Sequence, residues 1–298
     1  MRAEFPESFH NSFYLIRMKT ETEYSYRVKA WGVYTVAILI FTIRFFSHAL
    51  LSQMGKPPVF AHQSDLIYRT LFILQVPQFL TAHTYTSFIF DVSLFALPIM
   101  FLLTRKNYWA IAFSIVAVVY FLTYNIITGH HYHGLIGLLV ISIPFWWSRG
   151  DKFELTWQGA RYYFLYIFAS AACWKIMRGS VFYQEQMSHI LKAQHLDLLL
   201  QHPQSFQAHL IQYLIAHPLV SHSLLLVNVA VQLTFSVGFF TRRFDTYLFV
   251  LAVIFCVANY FVMSIISAEL LILGLTLLNW PAIEQQIQAL SRQKQLAE

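Results

Sequence analysis

Charge is what this sequence has least of. Asp, Glu, Lys and Arg together make up 11% of its 298 residues, where a soluble domain carries about a quarter. The shortage runs along the whole chain, 57% of the residues are hydrophobic, and the mean hydropathy is +0.53. That excludes an ordinary water-soluble globule and points to a helical protein that crosses a membrane several times. The net charge of +6 does not point to nucleic acid, because the basic residues are scattered among hydrophobic runs and form no stripe. Cysteine is nearly absent as well. Cys173 and Cys256 both lie in apolar runs, so neither a disulfide framework nor a CxxC metal site is expected. No Pro/Gly-rich linker and no fixed-period repeat divides the chain, which reads as one domain. Residues 1–30 lack an uninterrupted apolar core and a small-residue cleavage site. They are expected to be an amphipathic cytoplasmic segment lying on the membrane surface, and not a cleaved signal peptide.

What the sequence has is long apolar runs. A helix needs about 20 residues to cross about 30 Å of hydrocarbon. Runs near that length fall at 31–51, 87–104, 107–127, 134–147, 161–177, 221–240, 244–265 and 267–280. The expected fold is therefore all-α: a polytopic membrane bundle of about eight transmembrane helices over 31–280, followed by a short cytoplasmic helix at 281–298. With the N-terminus inside, fourteen Lys and Arg fall on the inner side, and five fall outside: Lys56, Arg69, Lys175, Arg178 and Lys192. Positive charge favours the cytoplasmic side, so both termini are expected in the cytoplasm; the tight loops and the size suggest a bacterial inner (cell) membrane. The segment 178–220 then forms an outer connection whose helical periodicity marks an amphipathic cap. His189, His195, His202, His209 and His217 recur along it, but their spacing around Pro203 does not bring them to one point.

Ionisable residues in a membrane are expensive and often functional. Several gather toward the outer leaflet in this topology. Lys175 ends the stretch RYYFLYIFASAACWK, beside Trp174 and Cys173. It reads in two ways: as a lysine that lifts its ammonium to the headgroups, or as a desolvated amine that acts as a base. The loop GHHYHG at 129–134 offers His130, His131 and His133. It lacks both the i, i+4 pair of a zinc protease and a nearby carboxylate, so no metal is expected there. A single histidine acting as donor or proton relay fits better. Asp91 and Glu269 have apolar flanks and are expected to pair with Arg44 or with backbone donors. Asn228, Gln232 and Asn259 are polar residues on helices, suited to hydrogen bonds between spans.

An arginine, an aromatic-rich apolar run, small residues and then lysine (Arg161, YIFASAA at 166–172, Lys175) form a pattern that resembles the vitamin K-dependent gamma-carboxylase and its bacterial relatives. These are the horizontally transferred transmembrane (HTTM) family. The histidine loop followed by LIGLLVISI at 135–143 resembles that family's histidine loop opening a span. The segment 228–265 resembles its paired spans after the long outer connection. The likeness covers roughly 30–280 and is strongest around Lys175.

The resemblance implies a chemistry. The family's lysine deprotonates a reduced naphthoquinone, which reacts with oxygen to give a strongly basic alkoxide and the epoxide. The alkoxide removes a proton from glutamate, and the carbanion takes up carbon dioxide, a lyase-type reaction. Carried over, Lys175 is the base and His130 or His131 the assisting histidine. Arg44, Asp91, His133, Trp174, Asn259 and Glu269 would support the site or contact the substrate. The cofactor implied is a reduced, vitamin K-type quinone, without a metal. Two departures stand out: the carboxylase's large outer C-terminal domain has no counterpart after Trp280, and Gly129-His130-His131 replaces the loop's asparagine-histidine pattern.

The sequence thus predicts an HTTM-type membrane enzyme that acts on a lipid-soluble quinol or other lipid substrate. The rival is a non-enzymatic scaffold or lipid-binding subunit of a larger membrane complex, with a membrane protein as partner. A transporter is disfavoured, because no pair of Gly/Pro-broken spans occupies matching positions in two halves.

Overall fold

The computed structural model describes residues 7–54, 66–128, 135–147, 150–263 and 268–297. No strand occurs among them. The helices are α1 (Glu7–Phe46), α2 (Leu51–Met54), α3 (Leu66–Ile73), α4 (Val76–Ala82), α5 (Thr84–Thr104), α6 (Asn107–Thr128) and α7 (Leu135–Ser142). They continue with α8 (Asp151–Met177), α9 (Gln186–Gln194), α10 (Leu196–Gln201), α11 (Phe206–Ala216), α12 (Pro218–Thr234), α13 (Asp245–Met263), α14 (Ala268–Gly274) and α15 (Trp280–Ala297).

Five of these stretches are long and apolar enough to cross a membrane: Glu23–Met54, Thr84–Thr104, Asn107–Ile127, Pro218–Phe239 and Asp245–Met263. That is the mark of a helical integral membrane protein. The other three expected spans take different forms. Gly137–Trp146 and Ala268–Leu277 are apolar but shorter, and each ends in a tight 3-10 turn. Ten residues of helix cover only about 15 Å. The third belongs to α8, whose apolar body holds Arg161, Lys175 and three tyrosines, so it falls outside the five. The N-terminal segment is continuous with the first span, since α1 runs unbroken from Glu7 to Phe46.

The chain forms two compact units, one of Met1–Trp157 with Asn279–Glu298 and one of Gln158–Leu278. The first is organised around α1. Tyr26, Ala30, Val33, Tyr34, Ala37, Ile40 and Phe41 are buried at the three- and four-residue steps of one helix face. Tyr34 meets Phe101, Phe113 and Phe145 at ring-centroid distances of 4.5, 5.6 and 5.3 Å, tilted and edge-on contacts that aromatic pairs prefer. Behind this face, Gly32 lets Trp280 of α15 press against the backbone of α1. A Cβ there would lie 2.5 Å from the indole. Lys29, counted above as an inner-side charge, is buried with its ammonium 2.7 Å from Glu154 and 5.3 Å from the ring centres of Phe153 and Trp157. The two rings contribute a cation–π attraction that a desolvated ammonium feels strongly.

In the second unit α8 runs antiparallel to α12. Leu165 fills the space left by Gly238, where a Cβ would come within 2.7 Å of its methyl. Phe168 stacks on Phe235 with ring centres 4.1 Å apart. At the start of this ladder Arg161, only 2% exposed, makes a two-pronged pair with Asp245, Nε to Oδ2 at 2.7 Å and Nη2 to Oδ1 at 2.6 Å. Nη2 also donates to the Gly238 carbonyl at 2.8 Å, while Nη1 finds no partner among the described residues. One arginine of α8 therefore fastens both the end of α12 and the start of α13.

Breaking a buried ion pair on one side strands the other charge, which costs about 3–5 kcal/mol, whereas an apolar pair of similar volume is tolerated. Asp245→Ala is expected to lower stability by about that amount in thermal unfolding in detergent. Arg161→Met combined with Asp245→Leu is expected to recover most of the loss.

Candidate functional site

Arg161 and Lys175 stand on one helix, fourteen positions apart, or about 21 Å along its axis. Lys175 is partly buried, and its Nζ donates to the side-chain oxygen of Gln232 on α12 at 2.8 Å. The ladder of Leu165 to Gly238 and Phe168 to Phe235 sets the register of α8 against α12, and extrapolated it places Lys175 level with Asn228. Gln232 lies one turn further toward the N-terminal end of α8. The lysine therefore turns back along its own helix, the direction in which helical side chains lean. It does not reach past the helix end, as a headgroup-seeking lysine would. The exposed cation at that end is Arg178, whose guanidinium lies 4.5 Å from the ring centre of Trp174. Trp174 is thereby engaged with Arg178 and is 54% exposed.

Beyond the level of Gln232, the connection between α8 and α12 is folded. Met187 and Leu191 of α9 and Ile211 and Leu214 of α11 form an apolar cluster with Leu225 of α12. Ser188 and Ser221 share a hydroxyl hydrogen bond at 2.8 Å. Leu225 and Ser221 lie seven and eleven residues before Gln232, about 10 and 16 Å up the helix. The α9–α11 layer is thus attached to the part of α12 that projects past Lys175.

The same layer closes the end of α13. The last carbonyls of a helix have no partner within it. Here those of Phe261, Val262 and Met263 accept from Gln207 Nε2 (3.2 Å), His195 Nε2 (2.9 Å) and Gln194 Nε2 (2.6 Å). A carbonyl can only accept, so the buried His195 must carry its proton on Nε2. His195 is therefore a structural clasp, although histidine spacing alone gave it no role.

The remaining predicted residues fall as follows. In the first unit Asp91, 3% exposed, accepts the backbone N–H groups of Ser52 at 2.8 Å and of Leu51 at 3.3 Å, caps on the first turn of α2. That is the backbone-donor role, one of the two expected for it. Arg44 packs over the rings of Phe121 and Tyr124 at 4.7 and 4.8 Å and donates to Tyr120 Oη at 3.4 Å; Tyr120 in turn donates to the Ala49 carbonyl at 2.6 Å. Arg44 and Asp91 thus bracket the short turn between α1 and α2. In the second unit Glu269 is buried in the first turn of α14, and Asn259 is partly buried on α13. His130, His131 and His133 lie outside the described residues. Among the described residues, no three His, Cys, Asp or Glu side chains are grouped closely enough to hold a metal ion.

Chemically, the geometry at Lys175 is an amine whose hydrogen-bond partner among the described residues is a neutral amide oxygen, with no carboxylate to balance a positive charge. Such an amine can donate, and when unprotonated can accept a proton. No family model matches this chain, and no curated protein or solved structure matches it. The HTTM likeness therefore rests on the residues quoted for it.

Removing one partner of a buried hydrogen bond costs about 1–3 kcal/mol, and removing both costs much less. Gln232→Leu is expected to lower stability by about that amount and Lys175→Met somewhat less. The double variant is expected to be more stable than the sum of the two losses. A double-mutant cycle by thermal unfolding measures this coupling, and strict additivity would mean that the bond contributes nothing.

Proposed function

We propose that this chain is an HTTM-type, gamma-carboxylase-like protein of a bacterial inner membrane, in which Lys175 acts as a base on a lipid-soluble quinol. The observation that carries this reading is the placement of Lys175: its amine turns back along α8 and is held by the Gln232 amide, with no carboxylate partner among the described residues, and the α9–α11 layer packs on the part of α12 that projects past it. A base for a reactive, oxygen-sensitive substrate needs such shelter from water. A quinol would enter from the lipid phase, and its chemistry on oxidation supplies the driving force for carboxylation or epoxide formation. The chain's own part is to hold the amine at fixed depth through Gln232, receive a proton at Nζ, and exclude water with the layer that Gln194, His195 and Gln207 fasten to α13. His130 or His131 is the proposed assisting histidine.

In this reading eight helices cross the membrane: α1, α5, α6, α7, α8, α12, α13 and α14, the shorter ones extended by their 3-10 turns. Both termini face the cytoplasm. The positive-inside bias supports this even when Lys29 and Arg161, neutralised by Glu154 and Asp245, are left out.

The second reading is a scaffold or lipid-binding subunit. The bond between Lys175 and Gln232 favours it to the extent that polar pairs between spans also serve as simple clamps. The two readings separate in one experiment. Wild type and Lys175→Ala are incubated in the same membrane with a reduced naphthoquinone and oxygen, epoxide is measured, and folding is checked by thermal stability. Epoxide from wild type and a loss of at least about a hundredfold in a stably folded Lys175→Ala, the scale of a lost general base, support the enzyme. No epoxide from either supports the scaffold.

A further inference from the structure

A groove of about 610 Å3 opens in the first unit between α1 and α15. Trp31, Trp280, Ile283 and Ile287 give it apolar walls, and Arg27 and Arg105 line it as well. The two arginines are close in level. Tyr34 pairs with Phe101, and Phe41 with Phe95, so α5 runs antiparallel to α1 and Arg105 falls beside residues 30 and 31, one turn from Arg27.

Arg105 stands in an unusual conformation. It ends α5 with a φ of 56°, in the left-handed region, where glycine is the favoured residue. A side chain kept at such a position invites a functional explanation, and this one carries charge into a groove that is otherwise mostly apolar. Arg27 is bonded to Glu23.

The second wall has a matching character. Trp280, Ile283, Ile287 and Leu290 follow one another along α15 at helical spacing. Trp280 is buried, Ile287 is 40% exposed and Leu290 66% exposed. The apolar stripe therefore runs out of the groove into the open, with Gln residues on the other faces and Glu284 at its edge, one of its carboxyl oxygens buried. A helix of this kind, beside a membrane span, lies in the interface with its apolar side toward the acyl chains.

We propose that this groove seats one anionic phospholipid, with its phosphate between Arg27 and Arg105 and an acyl chain along Trp31, Ile283 and Ile287. Charge complementarity selects the headgroup, since arginine offers two parallel donors to a phosphate. The apolar walls select a lipid over a free anion.

The test uses the full chain purified in detergent, with phosphatidylglycerol or phosphatidylcholine added and retained lipid counted by native mass spectrometry. Wild type is expected to retain phosphatidylglycerol about tenfold more than phosphatidylcholine, a difference of about 1.4 kcal/mol. Arg105→Gly puts glycine where the backbone already favours it, so the fold is kept. It is expected to bring the two lipids to near equality. Glu23→Gln, which releases Arg27 from its ion pair, is expected to raise phosphatidylglycerol retention. Equal retention of both lipids by wild type, or unchanged preference in a stably folded Arg105→Gly, would overturn the proposal. Displacement of the lipid by an equal concentration of inorganic phosphate would overturn it too, by assigning the arginines to a free anion.

Discussion

A charge that cannot reach water has to find its partner inside the protein, and the organisation of this chain follows from that rule. With so few charged residues, each one placed in an apolar helix commits part of the fold. Arg161 draws the end of α12 and the start of α13 to α8 through Asp245 and the Gly238 carbonyl. Lys29 joins α1 to the first turn of α8 through Glu154 and two aromatic rings. Asp91 fixes the turn after α1 by accepting two backbone N–H groups. Backbone has its own form of the rule, since the last carbonyls of a helix have no partner within it. At the end of α13 the protein meets it with three side chains from one layer.

The apolar runs made the helices legible. Among the described residues, each stretch expected to span falls mainly on helix, because runs of this length have few other stable forms in a membrane. What hydropathy could not separate is how long an apolar helix remains α-helical. The Pro144 region and the end of α14 tighten into 3-10 turns, and the charged start of α8 is part of the same helix as its apolar body. The two-unit division was also hidden, since one boundary falls inside a single unbroken helix, α8, and α15 joins the first unit from the far end of the chain.

At the candidate site the residue types were readable and their partners were not. Lys175 stood out because an amine ends an apolar run, and Gln232 was recognisable as a residue suited to hydrogen bonding between spans. That the two meet, 57 residues apart in sequence, depends on the register of α8 against α12, which Gly238 and Phe235 set through packing. Lys29 and Arg161 count among the inner-side charges in the sequence, and their partners Glu154 and Asp245 are hidden for a similar reason. A long-range partner leaves no local mark in the sequence. His195 is the plainest case: neighbouring histidines suggested a search for convergence among themselves, while its acceptor is a backbone carbonyl at the end of another helix.

The three bonds from Gln194, His195 and Gln207 have a consequence for motion. Their acceptors are consecutive carbonyls of a single helix end, so the donors share one anchoring point. When one bond breaks, the other two keep its donor nearby at high local concentration, and it re-forms before the layer can swing away. Detachment from α13 thus requires all three to be lost together, which makes it a rare, all-or-none event in place of gradual fraying. The α9–α11 layer should then move with the end of α13 as one body on short timescales.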